Sequence, residues 1–205
     1  MKFIKNYLLP LCFILSSLFS NAQTPARESA AAKIDPFIPV LEYPLIKGSK
    51  WTGVIPVKNV TDKPEANTVY KLLFDLTQNG TATGMVDKPN EGLEEIARIL
   101  NLHVAAGIQP KNLKSVVIVH SAAILSVLNS AAYEKKFNCS NPNADLIDQM
   151  QKVGVHFVLC GQTMNLRGVD GAELYKNIFI AEAAKVALTK YLTAGYVSFA
   201  ISGAH

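Results

Sequence analysis

Apolar residues along this chain fall into short dense runs, separated by longer stretches in which they recur every third or fourth position. The first spacing suits buried strands and the second suits helices with one covered face. Residues 68–76 are dense in β-branched and aromatic side chains and predict a first central strand. Residues 113–120 are almost wholly apolar, as a parallel strand covered on both faces must be, and they end on His120. Residues 155–159 form a third apolar run, which stops at Cys160 and a small polar loop. Ile178, Phe179 and Ile180 predict a brief fourth strand, and residues 196–201 a last one.

Helical spacing fills the intervals. Asn90 is placed to cap a helix in which Leu93, Ile96, Ala97, Leu100 and Val104 repeat up to Gly107. A second helix is expected over 123–133, and a third runs from the turn at Asn141, Pro142 and Asn143 through Leu146, Ile147, Met150 and Val153 to Gly154. A fourth covers 181–192. Strands alternating with helices predict an α/β fold: one mostly parallel sheet of about five strands flanked by helices on both faces.

The N-terminal third departs from this pattern. Lys2 and Lys5, the apolar run from Leu8 to Phe19 and the small residues Ser20 and Ala22 have the layout of a secretory signal peptide over 1–22, cleaved before Gln23. The run is too short for a membrane span of roughly 20 residues. Export to the periplasm or beyond is therefore expected, with no membrane association after cleavage. Residues 23–67 carry Pro25, Pro36, Pro39, Pro44, Pro56 and Pro64, which rule out long regular elements. Their apolar residues are too many for a free linker, so an arm packed on the domain or on a neighbouring subunit is expected, with Trp51 as its anchor. The alternative is a short hairpin turning at Lys47, Gly48 and Ser49. Residues 68–205 form the α/β domain.

Charge narrows the partners. The formal net charge is only +4, half of it from Lys2 and Lys5, and no basic run alternates with aromatics, so nucleic acid is excluded. The glycines near Gly80 and Gly84 lack the lysine and spacing of a phosphate-binding loop, and no cofactor is expected. His156 and Cys160 face one side of a strand but lie about 13 Å apart, too far to share an ion, so no metal site is expected. His103 reads as a packed or surface histidine.

Cys160 is the candidate for chemistry, because ligands gather where the strands of an open α/β sheet end. If the second and third strands are neighbours, His120 and Cys160 share one edge of the sheet. An imidazolium there favours the thiolate, the form that attacks disulfides, accepts sulfane sulfur or binds soft metals. Gln162 and the amides around Gly161 are placed to stabilise negative charge, and Arg167 either holds an anion or pairs with Asp170. In an oxidising compartment Cys139 and Cys160 also have the option of a disulfide.

Gly154 and Val155, then Cys160, then Arg167, Gly168, Val169 and Asp170, preceded by a strand ending at His120 and the Asn141–Asn143 turn, resemble the DsrE/DsrF-like sulfur-relay proteins over about 68–202. The resemblance implies a compact three-layer α/β sandwich, assembly as a trimer or hexamer with the cysteine near a subunit boundary, and a sulfur-donor protein as partner. It makes Cys160 the position that accepts a persulfide and passes it on. Two features depart from the family: the export signal, and Ser121 where relatives often carry glycine. Two functional readings follow. One is an exported sulfur carrier or transferase using Cys160, His120, Gly161, Gln162 and Arg167. The other is a non-catalytic oligomeric binding or scaffold module of the cell envelope.

Overall fold

The computed structural model describes residues 32–78 and 86–201. The segment read as a signal peptide, 1–22, lies outside them. Five strands make one sheet: β1 (Tyr70–Leu76), β2 (Leu113–Val119), β3 (His156–Cys160), β4 (Ile178–Ala181) and β5 (Val197–Ile201). Their order is β4-β3-β2-β1-β5, and every neighbouring pair is parallel. The helices between them are α1 (Glu91–Ala105), α2 (Ser130–Phe137), α3 (Ala144–Lys152), α4 (Gly161–Leu166) and α5 (Ala184–Thr193). The expected α/β architecture of a parallel sheet flanked by helices is what the chain adopts. Among the described residues no helix is long and apolar enough to cross a membrane.

Alternation along the strands divides the core in two. Leu72, Phe74 and Leu76 of β1, Val117 and Val119 of β2, and Phe157 and Leu159 of β3 face Leu93, Ile96 and Leu100 of α1 and Ile147 and Met150 of α3. Each of these large side chains stabilises the fold by about 1.5–3 kcal/mol through burial. The opposite face is thinner. There Leu73, Val116, Ile118, Val158 and Cys160 meet Ala184 and Ala187 of α5.

Three expectations need correction. The helix expected over 123–133 is broken: a 3-10 segment, Ser121–Val127, is followed by extended Leu128, which bridges Leu174, before α2 begins. Asn129 makes the break possible, since its side chain accepts from Ala132 N at 2.9 Å and caps α2. The polar loop expected after Cys160 is the short helix α4, because Met164 has apolar core to pack on. In the arm, Trp51 is only half-buried, and the anchor is Ile46, which is wholly buried.

The arm is pinned by amides. Asn101 of α1 accepts from Leu45 N at 2.9 Å and Ile46 N at 2.8 Å, and donates to Ile46 O at 2.7 Å and Thr52 O at 2.8 Å. Gln149 of α3 pairs with Lys47 N and O. One antiparallel bridge, Glu42 to Val54, closes the loop, so the arm is a single bridged loop rather than a full hairpin. At the carboxyl end of the sheet a second buried polar cluster ties three connections together. Asn90 caps α1 by accepting from Gly92 N and Leu93 N, and it donates to Ser126 Oγ, while Asn143 accepts from Asn90 N and Asn141 donates to Ser126 O and Leu128 O.

Candidate thiol site where the helices part

β3 and β4 end side by side, with Cys160 opposite Ala181. The helices that follow leave in opposite directions: α4 packs Met164 onto the larger core, and α5 packs Ala184 and Ala187 onto the smaller one. A sheet whose successive helices diverge in this way opens a crevice at its carboxyl edge, the usual place for ligands in such folds. Cys160 sits at that point. Gly161 keeps the two strand ends close, since a Cβ there would lie 2.9 Å from the carbonyl oxygen of Ala181.

The Cys160 thiol is free and the residue is 5% exposed. Burial alone raises a thiol, but the Thr163 hydroxyl and the backbone N–H groups of Thr163, Ala184 and Gln162 outweigh it and hold Cys160 below its ordinary value. These amides belong to the first turns of α4 and α5, whose orphan N–H groups favour negative charge. The start of α5 carries no side-chain cap.

His120 follows β2 directly, and its register places it beside Cys160 on the same face of the sheet. Its Nε2 is engaged on the β1 side. Nε2 lies 2.7 Å from Asp75 Oδ1 on β1, and no hydrogen bond joins it to the Cys160 sulfur among the described residues. The sequence-based expectation that the imidazole tunes the thiol thus has adjacency behind it but no direct contact. The next residue, Ser121, takes a left-handed backbone with φ +59, a conformation that glycine adopts without strain. Its N–H reaches Thr163 Oγ1 at 3.3 Å, so Thr163 links the ends of β2 and β3.

The remaining expected residues spread outward. Gln162 is exposed and donates to Glu182 Oε1 at 3.2 Å, linking the segments that follow β3 and β4. Arg167 is exposed at the far end of α4 from Cys160. It makes no ion pair with Asp170 among the described residues, because the Asp170 carboxylate instead accepts from Ala172 N at 2.8 Å in a capping box with Glu173. His156 begins β3 and stacks on Phe179 at 4.2 Å; burial and the nearby Lys190 lower its pKa. Among the described residues no group of three or more His, Cys, Asp or Glu converges as a metal site. Cys139 is half-buried and free, 3.8 Å from Val86 O. Tyr133 donates to the same carbonyl, and burial followed by Cys139 and Asp87 pushes its hydroxyl up to about 12.

Sequence reasoning missed Thr163, Ala184 and Asp75. Asp75 carried a signal, since a carboxylate between Phe74 and Leu76 in a central strand is costly without a partner. Ala184 carried none: only its backbone matters.

A free thiol at the carboxyl edge of a parallel α/β sheet, ringed by helix-start amides, defines a thiol-bearing α/β protein. The family model described as DsrE/DsrF-like matches residues 84–199, and the chain belongs to that family, which connects it with sulfur relay. A solved protein of unknown function from Methanobacterium thermoautotrophicum is similar at 15% identity, covering 64% of this chain and 98% of that chain, with a TM-score of 0.48. No curated protein matches the chain.

Proposed function

We propose that Cys160 accepts a sulfane sulfur and hands it on, making the protein an exported sulfur carrier. The observation that carries this reading is the donor shell: a nearly buried thiol held below its ordinary value by one hydroxyl and three amides. In the transfer, the Cys160 thiolate attacks the outer sulfur of a donor persulfide. A new sulfur–sulfur bond forms to Cys160, and the donor's own sulfur–sulfur bond breaks. The donor leaves as a thiolate and takes up the proton that Cys160 gave to His120, so no external oxidant or reductant is consumed.

The test is intact mass of the purified native protein after incubation with a low-molecular-weight persulfide, followed by reductant. One added sulfur, removable by reductant and absent in Cys160→Ser, is the expected result. A native Cys160 that gains no sulfur and is labelled by iodoacetamide only after denaturation overturns the reading.

One observation favours the second reading, an oligomeric binding module. Edge strand β4 presents Phe179 at 55% and Ile180 at 52% exposure, apolar side chains that an unpaired edge normally lacks. Light scattering of the native chain and of Phe179→Lys tests it: an oligomer lost in the variant supports self-association through β4, and a monomer in both removes it.

A further inference from the structure

Asp75, His120 and Cys160 lie on one face of three consecutive strands, with Asp75 one row before the other two. Residues of β1 that face α5 alternate from Leu73 to Asp75, those of β2 from Ile118 to His120, and those of β3 from Val158 to Cys160. The three strands are consecutive in the sheet, and Asp75 pairs with Ile118, so the His120 imidazole beside the thiol reaches back one row to the carboxylate. Asp75 and His120 are shielded, with side chains 24% and 18% exposed, and their 2.7 Å contact sits where water competes poorly. Asp75 alone among the residues described here spends its contact on an imidazole beside the thiol.

We infer that Asp75 is the positioning residue of the thiol site. It rests on the sulfur-carrier reading and extends it. By accepting the Nε2 proton, Asp75 fixes the neutral ring as the Nε2–H tautomer and leaves Nδ1 as the only nitrogen able to take a proton. When the Cys160 thiol ionises, its proton passes to Nδ1 of the ring that Asp75 holds in place. When the donor leaves as a thiolate, the same proton returns from Nδ1. Asp75 gains and loses no proton, which is the role of an orienting carboxylate behind an acid–base pair.

The experiment uses the full chain labelled with 15N-histidine and compares wild type with Asp75→Asn, Asp75→Glu and His120→Gln. The tautomer of His120 is read from long-range nitrogen–proton correlations. The rate of Cys160 modification is read with neutral iodoacetamide and with persulfide. Expected are an Nε2–H ring in the wild type, loss of that single tautomer in Asp75→Asn, a rate at least about tenfold lower in that variant, and recovery in Asp75→Glu. An Nδ1–H ring in the wild type overturns the inference even where the variants fold poorly. So does a rate in Asp75→Asn within about twofold of wild type while His120→Gln is slow. A native Cys160 inert to persulfide in the wild type is a separate outcome: it sinks the sulfur-carrier reading and this inference with it, whatever the tautomer.

Discussion

Asn101 and Cys160 are both buried and both surrounded by hydrogen-bonding groups, yet they do opposite work. Asn101 uses its oxygen twice as acceptor and its nitrogen twice as donor, all toward the backbone of the arm, and has nothing left over. Cys160 meets a hydroxyl and amides that favour a charge the neutral thiol does not carry. Burial therefore does not separate structure from chemistry in this molecule. The balance of donors and acceptors does, because a satisfied polar group is a fastener and a donor-rich shell around an ionisable group is a place for negative charge.

The largest test of that distinction is Asn101→Leu. Removing the amide leaves two N–H and two C=O groups of the arm unpaired against α1, each worth about 1–3 kcal/mol when it cannot reach water. We expect a loss of at least about 3 kcal/mol in urea unfolding, with the rate of Cys160 modification in the folded protein unchanged. A slower thiol in the folded variant would mean that the two regions are not independent. Gly161→Ala comes next. Its Cβ meets the Ala181 carbonyl oxygen at 2.9 Å, so the ends of β3 and β4 must part. A cost of about 1–3 kcal/mol is expected from that overpacking. Unlike the change at Asn101, it should also slow the thiol, since Ala184 N moves away with β4; equal rates in variant and wild type would place the amide of Ala184 outside the site.

How much of this was legible beforehand follows the same division. The strands and α1 could be read because their apolar periods are clean and Asn90 is a cap whose chemistry is local. The position of Cys160 beside His120 could be read because short parallel connections put consecutive strands together. What escaped was set by contacts distant in sequence. Helix 123–133 breaks because Leu128 finds Leu174, and no local pattern announces that partner. Trp51 looked like the arm's anchor by size, but Asn101 pins the backbone on either side of Ile46 and so decides which side chain goes in. The shell of the thiol was least visible, because amides of Gln162 and Ala184 act through geometry rather than side-chain identity. Ser121 is the exception: its φ of +59 gives a physical reason why a glycine would suit that position.

Thr163→Val makes the smallest change and asks the most specific question. Valine keeps the shape of threonine and removes the hydroxyl that faces Cys160, leaving burial to act against fewer donors. The thiol should then ionise at higher pH than in the wild type. At neutral pH its modification by iodoacetamide should slow about fivefold, the worth of one ordinary hydrogen bond of about 1 kcal/mol. At alkaline pH the order should vanish or reverse, because a thiolate of higher pKa is the stronger nucleophile once formed. The stability of the fold must follow the same sign. A thiol held below its unfolded value binds fewer protons when folded, so it contributes stability that is present in full above the unfolded value and is lost as pH falls through the folded one. That pH-dependent part should shrink in Thr163→Val. A variant that is slower by the same factor at every pH would show instead that Thr163 shapes access to the sulfur, and the donor shell would then owe its effect to the amides alone.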